Sequence, residues 1–162
     1  MSVAVLVGNP KPRSRTREAA IRVASELYGA IPDFDIDLAD LGSALLEPTN
    51  DWVEAAIEQV SQSRLLVVAS PTYKGTYTGL LKLFFDRIPA GGLSDVTAVP
   101  VMLGADLRHA LAVETYLKPV LNELGASTPT SGLFLLDQTW DSADVLDVWL
   151  KSARRQLGGV LA

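Results

Sequence analysis

Residues 3–20 read VAVLVGNPKPRSRTREAA. The first five are apolar and mostly β-branched, the composition of a strand buried on both faces. From Thr16 to Tyr28, Ala20, Val23, Ala24 and Leu27 recur at helical spacing. Seven residues, Asn9 to Arg15, join the two patterns. A buried strand, Ser2 to Gly8, passing through a short loop into an amphipathic helix is the first half of a βαβ unit. The loop is unusual in charge, since Lys11, Arg13, Arg15 and Arg17 crowd into it and the start of the helix.

The same alternation continues along the chain. Asp35 to Leu41 reads as a weaker strand, followed by a helix capped by Asn50 and running to about Gln62, with Glu54 as a capping-box partner. Arg64 to Ser70 (RLLVVAS) is a buried strand, and Tyr77 to Ile88 a helix ended by Pro89. Ala98 to Gly104 is a strand with Pro100 expected near its start, because an interior ladder cannot spare a donor. Asp106 to Leu124 is a helix stopped by Gly125, Gly132 to Asp137 the fifth strand, and Ser142 to Leu157 the last helix. Five such repeats predict one α/β domain over residues 1–162: a five-stranded parallel sheet in the order 2-1-3-4-5, with helices on both faces.

Composition narrows the function. The chain is 48% hydrophobic and 20% charged, as expected of an ordered globular domain. It has no cysteine, which removes disulfides, thiolate metal sites and cysteine nucleophiles, and suits a cytoplasmic location. A net charge of −5 argues against nucleic-acid binding, and no apolar run is long enough for a membrane span. The basic cluster is therefore local, and a small anion is its expected partner.

In an open parallel sheet, ligands bind beyond the carboxyl ends of the strands where the order reverses. That selects three loops. Asn9 to Arg15 feeds a helix amino terminus, where free N–H groups favour an anion, and Ser14 and Thr16 add hydroxyls. Ser14 as an ordinary helix cap in a solvated basic turn is the plain alternative. SPTYKGTYTG, residues 70–79, places Tyr73 and Tyr77 at the mouth of the crevice, to flank a flat ligand or to seal a subunit interface; Thr76 or Thr78 can cap the next helix. GADLRH, residues 104–109, offers a glycine for close backbone approach, Asp106 as a helix cap, and His109, the only histidine. Nothing around His109 supplies a catalytic triad or a metal set. Pro119 must kink or bulge the helix around Thr115 and Tyr116.

GNPKPRSRT, SPTYKGTYTGLLKLFFDRIP and GADLRHALAVETYLKPVL together resemble the NADPH-dependent FMN reductases, a flavodoxin-like family of three-layer sandwiches. The likeness is strongest to the branch that supplies reduced flavin to two-component alkanesulfonate monooxygenases. The resemblance implies hydride transfer from NADPH to FMN with no catalytic side-chain acid or base and no metal. It places the flavin phosphate on Asn9, Lys11, Ser14, Arg15 and Thr16. The isoalloxazine would lie along Pro71, Thr72, Tyr73 and Lys74, closed over by Gly104, Ala105 and Asp106. It further implies a homodimer or homotetramer packed through the Tyr77–Ile88 helix, and a flavin-dependent monooxygenase as partner. Three features depart from the family pattern: Asn9 stands where serine is usual, Lys11 where arginine is usual, and the aromatic near the expected bulge falls at Tyr116 instead of Thr115. A reductase that retains FMN and reduces a quinone, azo or nitro compound needs the same three loops. A flavodoxin-type electron carrier fits less well, because its phosphate loop is ordinarily not cationic.

Overall fold

The computed structural model describes residues 2–161. Strands β1 (Val3–Val7), β2 (Phe34–Asp37), β3 (Leu65–Pro71), β4 (Thr97–Gly104) and β5 (Leu133–Leu136) form one sheet in the order β2-β1-β3-β4-β5. All neighbouring pairs are parallel. The order expected from the sequence is the order observed.

Alternation along the strands builds two cores. Ala4, Leu6, Leu66, Val68, Ala98 and Met102 face one side and pack with helices α3 (Asp51–Gln62), α4 (Gly79–Phe85) and α5 (Lys118–Glu123). Val3, Val5, Val7, Val67, Val99 and Val101 face the other and pack with α1 (Arg15–Tyr28) and α6 (Asp147–Gln156). Each face removes apolar side chains from water, and truncating one large buried residue such as Leu6 costs about 2–5 kcal/mol. The short helices α2 (Leu38–Leu41) and α7 (Gly158–Leu161) complete the chain.

Several boundaries differ from those expected, each for a local reason. Strand β2 stops at Asp37 because that carboxylate accepts the Ala39 N–H and caps α2. Asn50 caps α3 as expected, but Glu54 reaches out to Arg87 at 3.0 Å and does not close a capping box. Helix α4 begins at Gly79, since Thr78 is its cap and Tyr73–Thr76 closes a tight turn before it. Helix α6 starts at Asp147, five residues later than expected, and the guanidinium of Arg22 binds the carbonyls of Trp140, Ser142 and Ala143 ahead of it.

Pro100 lies in the middle of β4, not near its start. The Thr97 N–H points to Arg64 on the β3 side, and the Ala98 N–H to Ser127 on the opposite side. By alternation the Pro100 nitrogen faces the β5 side, where pairing begins only at Val101 with Leu133. The missing donor therefore interrupts no ladder. Pro119 has the expected effect. Val113–Leu117 is a π-helical turn, with the Lys118 N–H bonded to the Val113 carbonyl, so the wider turn accommodates the ring.

One hydrogen bond sets the relation between the first two chemical loops. The Thr78 hydroxyl donates to the Gly8 carbonyl at 2.5 Å and accepts the Leu81 N–H at 3.2 Å, and Thr78 is 1% exposed. Replacing Thr78 with Val leaves that carbonyl buried without its donor. Urea unfolding should show a loss of about 1–3 kcal/mol; an unchanged midpoint would contradict the assignment.

Candidate functional site

The backbone N–H groups of Lys11 and Arg13 are both engaged within the protein. Pro10 and Pro12 have no N–H. The Lys11 N–H goes to the Asn9 side-chain carbonyl at 3.0 Å, and the Arg13 N–H to Asp37 Oδ2 at 3.1 Å. Asn9 Nδ2 donates to the Thr16 hydroxyl at 3.0 Å, which clamps the start of the loop to the first turn of α1. Ser14 is the cap, its Oγ accepting the Arg17 N–H at 3.3 Å.

What remains points outward as donors. Arg15 and Thr16 open the helix, so their N–H groups have no helical partner. The Ser14 and Thr16 oxygens accept hydrogen bonds, which leaves each hydroxyl proton available. Both side chains are nearly buried, at 4% and 2% exposed, so their rotors are held in place. Lys11, Arg13 and Arg15 form no salt bridge among the described residues. Arg17 is different: its guanidinium grips Asp35 in a bidentate pair, so three of the four clustered cations serve this loop. Cationic side chains, hydroxyls and helix-end N–H groups are the donor types that suit an oxyanion.

A cavity of about 310 Å³ opens here, lined by the first loop, by Pro71 and Tyr73 from the loop after β3, and by Asp137 after β5. It draws together Asn9, Lys11, Ser14, Arg15, Thr16, Pro71 and Tyr73 of the sequence-derived set. Arg13, read from the sequence as part of the basic cluster, lines it too, as do Glu18 and Asp137, which sequence reading did not single out. The Asp137 carbonyl accepts from the Arg15 guanidinium at 3.0 Å. Only the topology could have shown this, as β5 lies far from Arg15 in sequence. A larger concavity, about 710 Å³, sits at the opposite edge near the amino ends of β3 and β4, away from these groups.

Thr72, Lys74, Gly104, Ala105 and Asp106 do not line the cavity. Thr72 is used structurally, with its N–H and hydroxyl both donating to the Leu103 carbonyl at 2.7 and 2.8 Å. A Cβ at Gly104 would lie 2.7 Å from the Phe134 ring and 3.2 Å from the Thr72 hydroxyl, so packing alone demands glycine there. Lys74 and Gly75 both have positive φ, at 52° and 84°, the backbone of a type I′ turn that projects Tyr73 and Lys74 to the rim. Asp106 caps the 3₁₀ turn Leu107–His109, and its carboxyl is held below the usual range by the Arg108 N–H and guanidinium.

Behind the loop, burial raises the Asp37 carboxyl above its ordinary 3.8, although the Arg13 and Ala39 N–H groups pull the other way. The folded state then binds more protons than the unfolded chain between 3.8 and the raised value. Stability should fall as pH rises through that window. Urea midpoints across this range should decline relative to those of D37N; parallel profiles would show that Asp37 does not carry the effect.

No helix is long and apolar enough to cross a membrane, and no group of three or more His, Asp or Glu side chains is arranged for a metal, among the described residues. Comparison with known proteins identifies the family. Residues 1–141 match the family described as NADPH-dependent FMN reductase. An NADH-dependent FMN reductase, SfnF, of Pseudomonas fluorescens is 31% identical, with 96% of this chain and 87% of the relative covered. An FMN reductase (NADPH) of Pseudomonas aeruginosa is 30% identical, with 94% and 86% covered. Among solved structures, the apo form of the NADH:FMN oxidoreductase EMOB superposes with a TM-score of 0.84 at 27% identity, covering 96% of this chain and 87% of that one. A match of this length, together with the fold and the cationic loop after β1, establishes that the chain belongs to the NADPH-dependent FMN reductase family.

Proposed function

We propose that the protein binds FMN with its phosphate in the loop after β1 and reduces it with a nicotinamide dinucleotide. The observation that carries the reading is the set of converging donors at Ser14, Arg15 and Thr16 in a cavity that continues to Pro71 and Tyr73. The fit is chemical. A phosphate near charge −2 matches three cations, two hydroxyls and a helix amino terminus. The apolar body of Tyr73 and the ring of Pro71 offer flat surface to an aromatic ring system. When bound, FMN supplies a flavin that accepts hydride from NADH or NADPH.

The chain contributes binding and orientation. Asn9 and Lys11 shape the loop, while Ser14, Arg15 and Thr16 hold the phosphate. Pro71, Thr72, Tyr73 and Lys74 form one wall for the ring, with Gly104, Ala105 and Asp106 at its rim. No acid–base side chain is assigned. Holding two rings in contact converts an encounter into an intramolecular step, which accounts for catalysis without one.

The family resemblance supports a homodimer or homotetramer and delivery of reduced flavin to a flavin-dependent monooxygenase. Leu83 on α4 and Leu107, Leu111 and Tyr116 beyond β4 are exposed apolar side chains available to such an interface. The resemblance and the absence of cysteine support a cytoplasmic location.

Replacing Ser14 and Arg15 together with Ala should weaken FMN binding by at least about 30-fold, the loss of two charge-assisted or hydroxyl contacts. Riboflavin, which lacks the phosphate, should change less than about twofold by the same additivity. Fluorescence titration measures both. Equal losses would return these residues to ordinary capping and overturn the phosphate assignment.

A further inference from the structure

Arg13 and Lys74 are the two non-glycine residues with positive φ among the described residues, and Arg13 stands at 49°. A left-handed backbone at a residue with a Cβ is unfavourable and persists where neighbouring contacts hold it. Lys74 is followed by a glycine in a closed turn. Arg13 lies with Pro12 in a turn that no glycine completes, and its N–H donates outside that turn, to Asp37 Oδ2 at 3.1 Å.

Asp37 is placed to do this by the sheet. It pairs in register with Val7, the last residue of β1, and so stands beside the point from which the loop departs. Its carboxylate spans two N–H groups, Arg13 on Oδ2 and Ala39 on Oδ1 at 3.2 Å, and the residue is 6% exposed. The charged groups facing it are Asp40, which opposes its charge, and Arg17, which favours it. Arg17 is itself engaged by Asp35. A buried carboxylate beside an anion site works against anion binding on charge alone. Its use is geometric.

We propose that Asp37 is a positioning residue for flavin phosphate binding: by holding the Arg13 N–H it keeps that residue left-handed, and thereby aims Ser14, Arg15 and Thr16 at one point. The inference rests on the phosphate reading above and adds the residue that shapes the site from behind. Asp37 touches no ligand. With one oxygen replaced by an NH2 group, the side chain cannot accept from both the Arg13 and the Ala39 N–H, and where the NH2 faces Arg13, residue 13 is free to relax to negative φ. The following donors then diverge. If residue 13 is glycine, left-handed geometry carries no penalty and Asp37 becomes dispensable for aim.

A double-mutant cycle on FMN and riboflavin affinity tests this, with D37N, R13G and D37N/R13G compared by fluorescence titration. D37N should raise the Kd for FMN about tenfold, the scale of one unfavourable left-handed residue, and leave riboflavin within about twofold. In the R13G background, the same D37N change should raise the Kd for FMN less than about twofold. An unchanged FMN Kd in D37N, an equal loss for riboflavin, or the same loss in both backgrounds overturns the proposal. Amide exchange on the unmodified protein gives a reading independent of mutant folding: the Arg13 N–H should be protected at least about tenfold over an unstructured chain. An unprotected Arg13 amide overturns it as well. If S14A/R15A still separates FMN from riboflavin while Asp37 and Arg13 act additively, this inference alone falls. If S14A/R15A does not separate them, the phosphate reading has failed first.

Discussion

The Thr78 hydroxyl and the Gly8 carbonyl meet across 70 residues of sequence, and the rest of the site depends on that meeting. It joins the end of β1 to the start of α4, and so fixes the loop after β3 against the loop after β1. The contact is possible because β1 and β3 are parallel and adjacent, which brings their carboxyl ends to the same edge. Gly8 is part of the constraint: a Cβ there would lie 2.5 Å from Leu81 Cβ, so α4 could not approach. Once these two loops are locked, Ser14, Arg15, Pro71 and Tyr73 share one cavity.

Electrostatics then gives the cavity its character. The protein carries a net charge of −5, yet Lys11, Arg13 and Arg15 stand together without carboxylate partners among the described residues. Like charges held close are unfavourable in the absence of an anion, and the cluster is stabilised when one is present. The prolines at 10 and 12 and the two Asn9 hydrogen bonds leave the loop few alternative shapes. The cationic loop is thus a scaffold already ordered, which is the condition for affinity without a large ordering cost.

Much of this was legible in the sequence, because it depended on local pattern. Five apolar runs separated by amphipathic stretches specified the sheet order; Ser14 and Asn50 were readable as caps from their types and positions, and the cap of α4 was narrowed to Thr76 or Thr78. Pro119 announced the π-helical turn. The features that escaped were those fixed by long-range geometry. Asp37 read as part of a strand, although its carboxylate ends that strand and ties down Arg13. Glu54 had a cap available and chose Arg87, 33 residues away. The packing of Gly104 against the Phe134 ring, across the sheet, had no local signal. Local rules were overridden where a distant partner offered a stronger contact.

The account rests on the chain being an FMN reductase whose reactive group belongs to the flavin. Its most direct test is the visible absorption of the protein with stoichiometric FMN, recorded anaerobically before and after NADH or NADPH is added. Rapid loss of the oxidised flavin band, far faster than for free FMN with the same nucleotide, is the expected result. A flavin band that persists at the rate of free FMN with both nucleotides would contradict it.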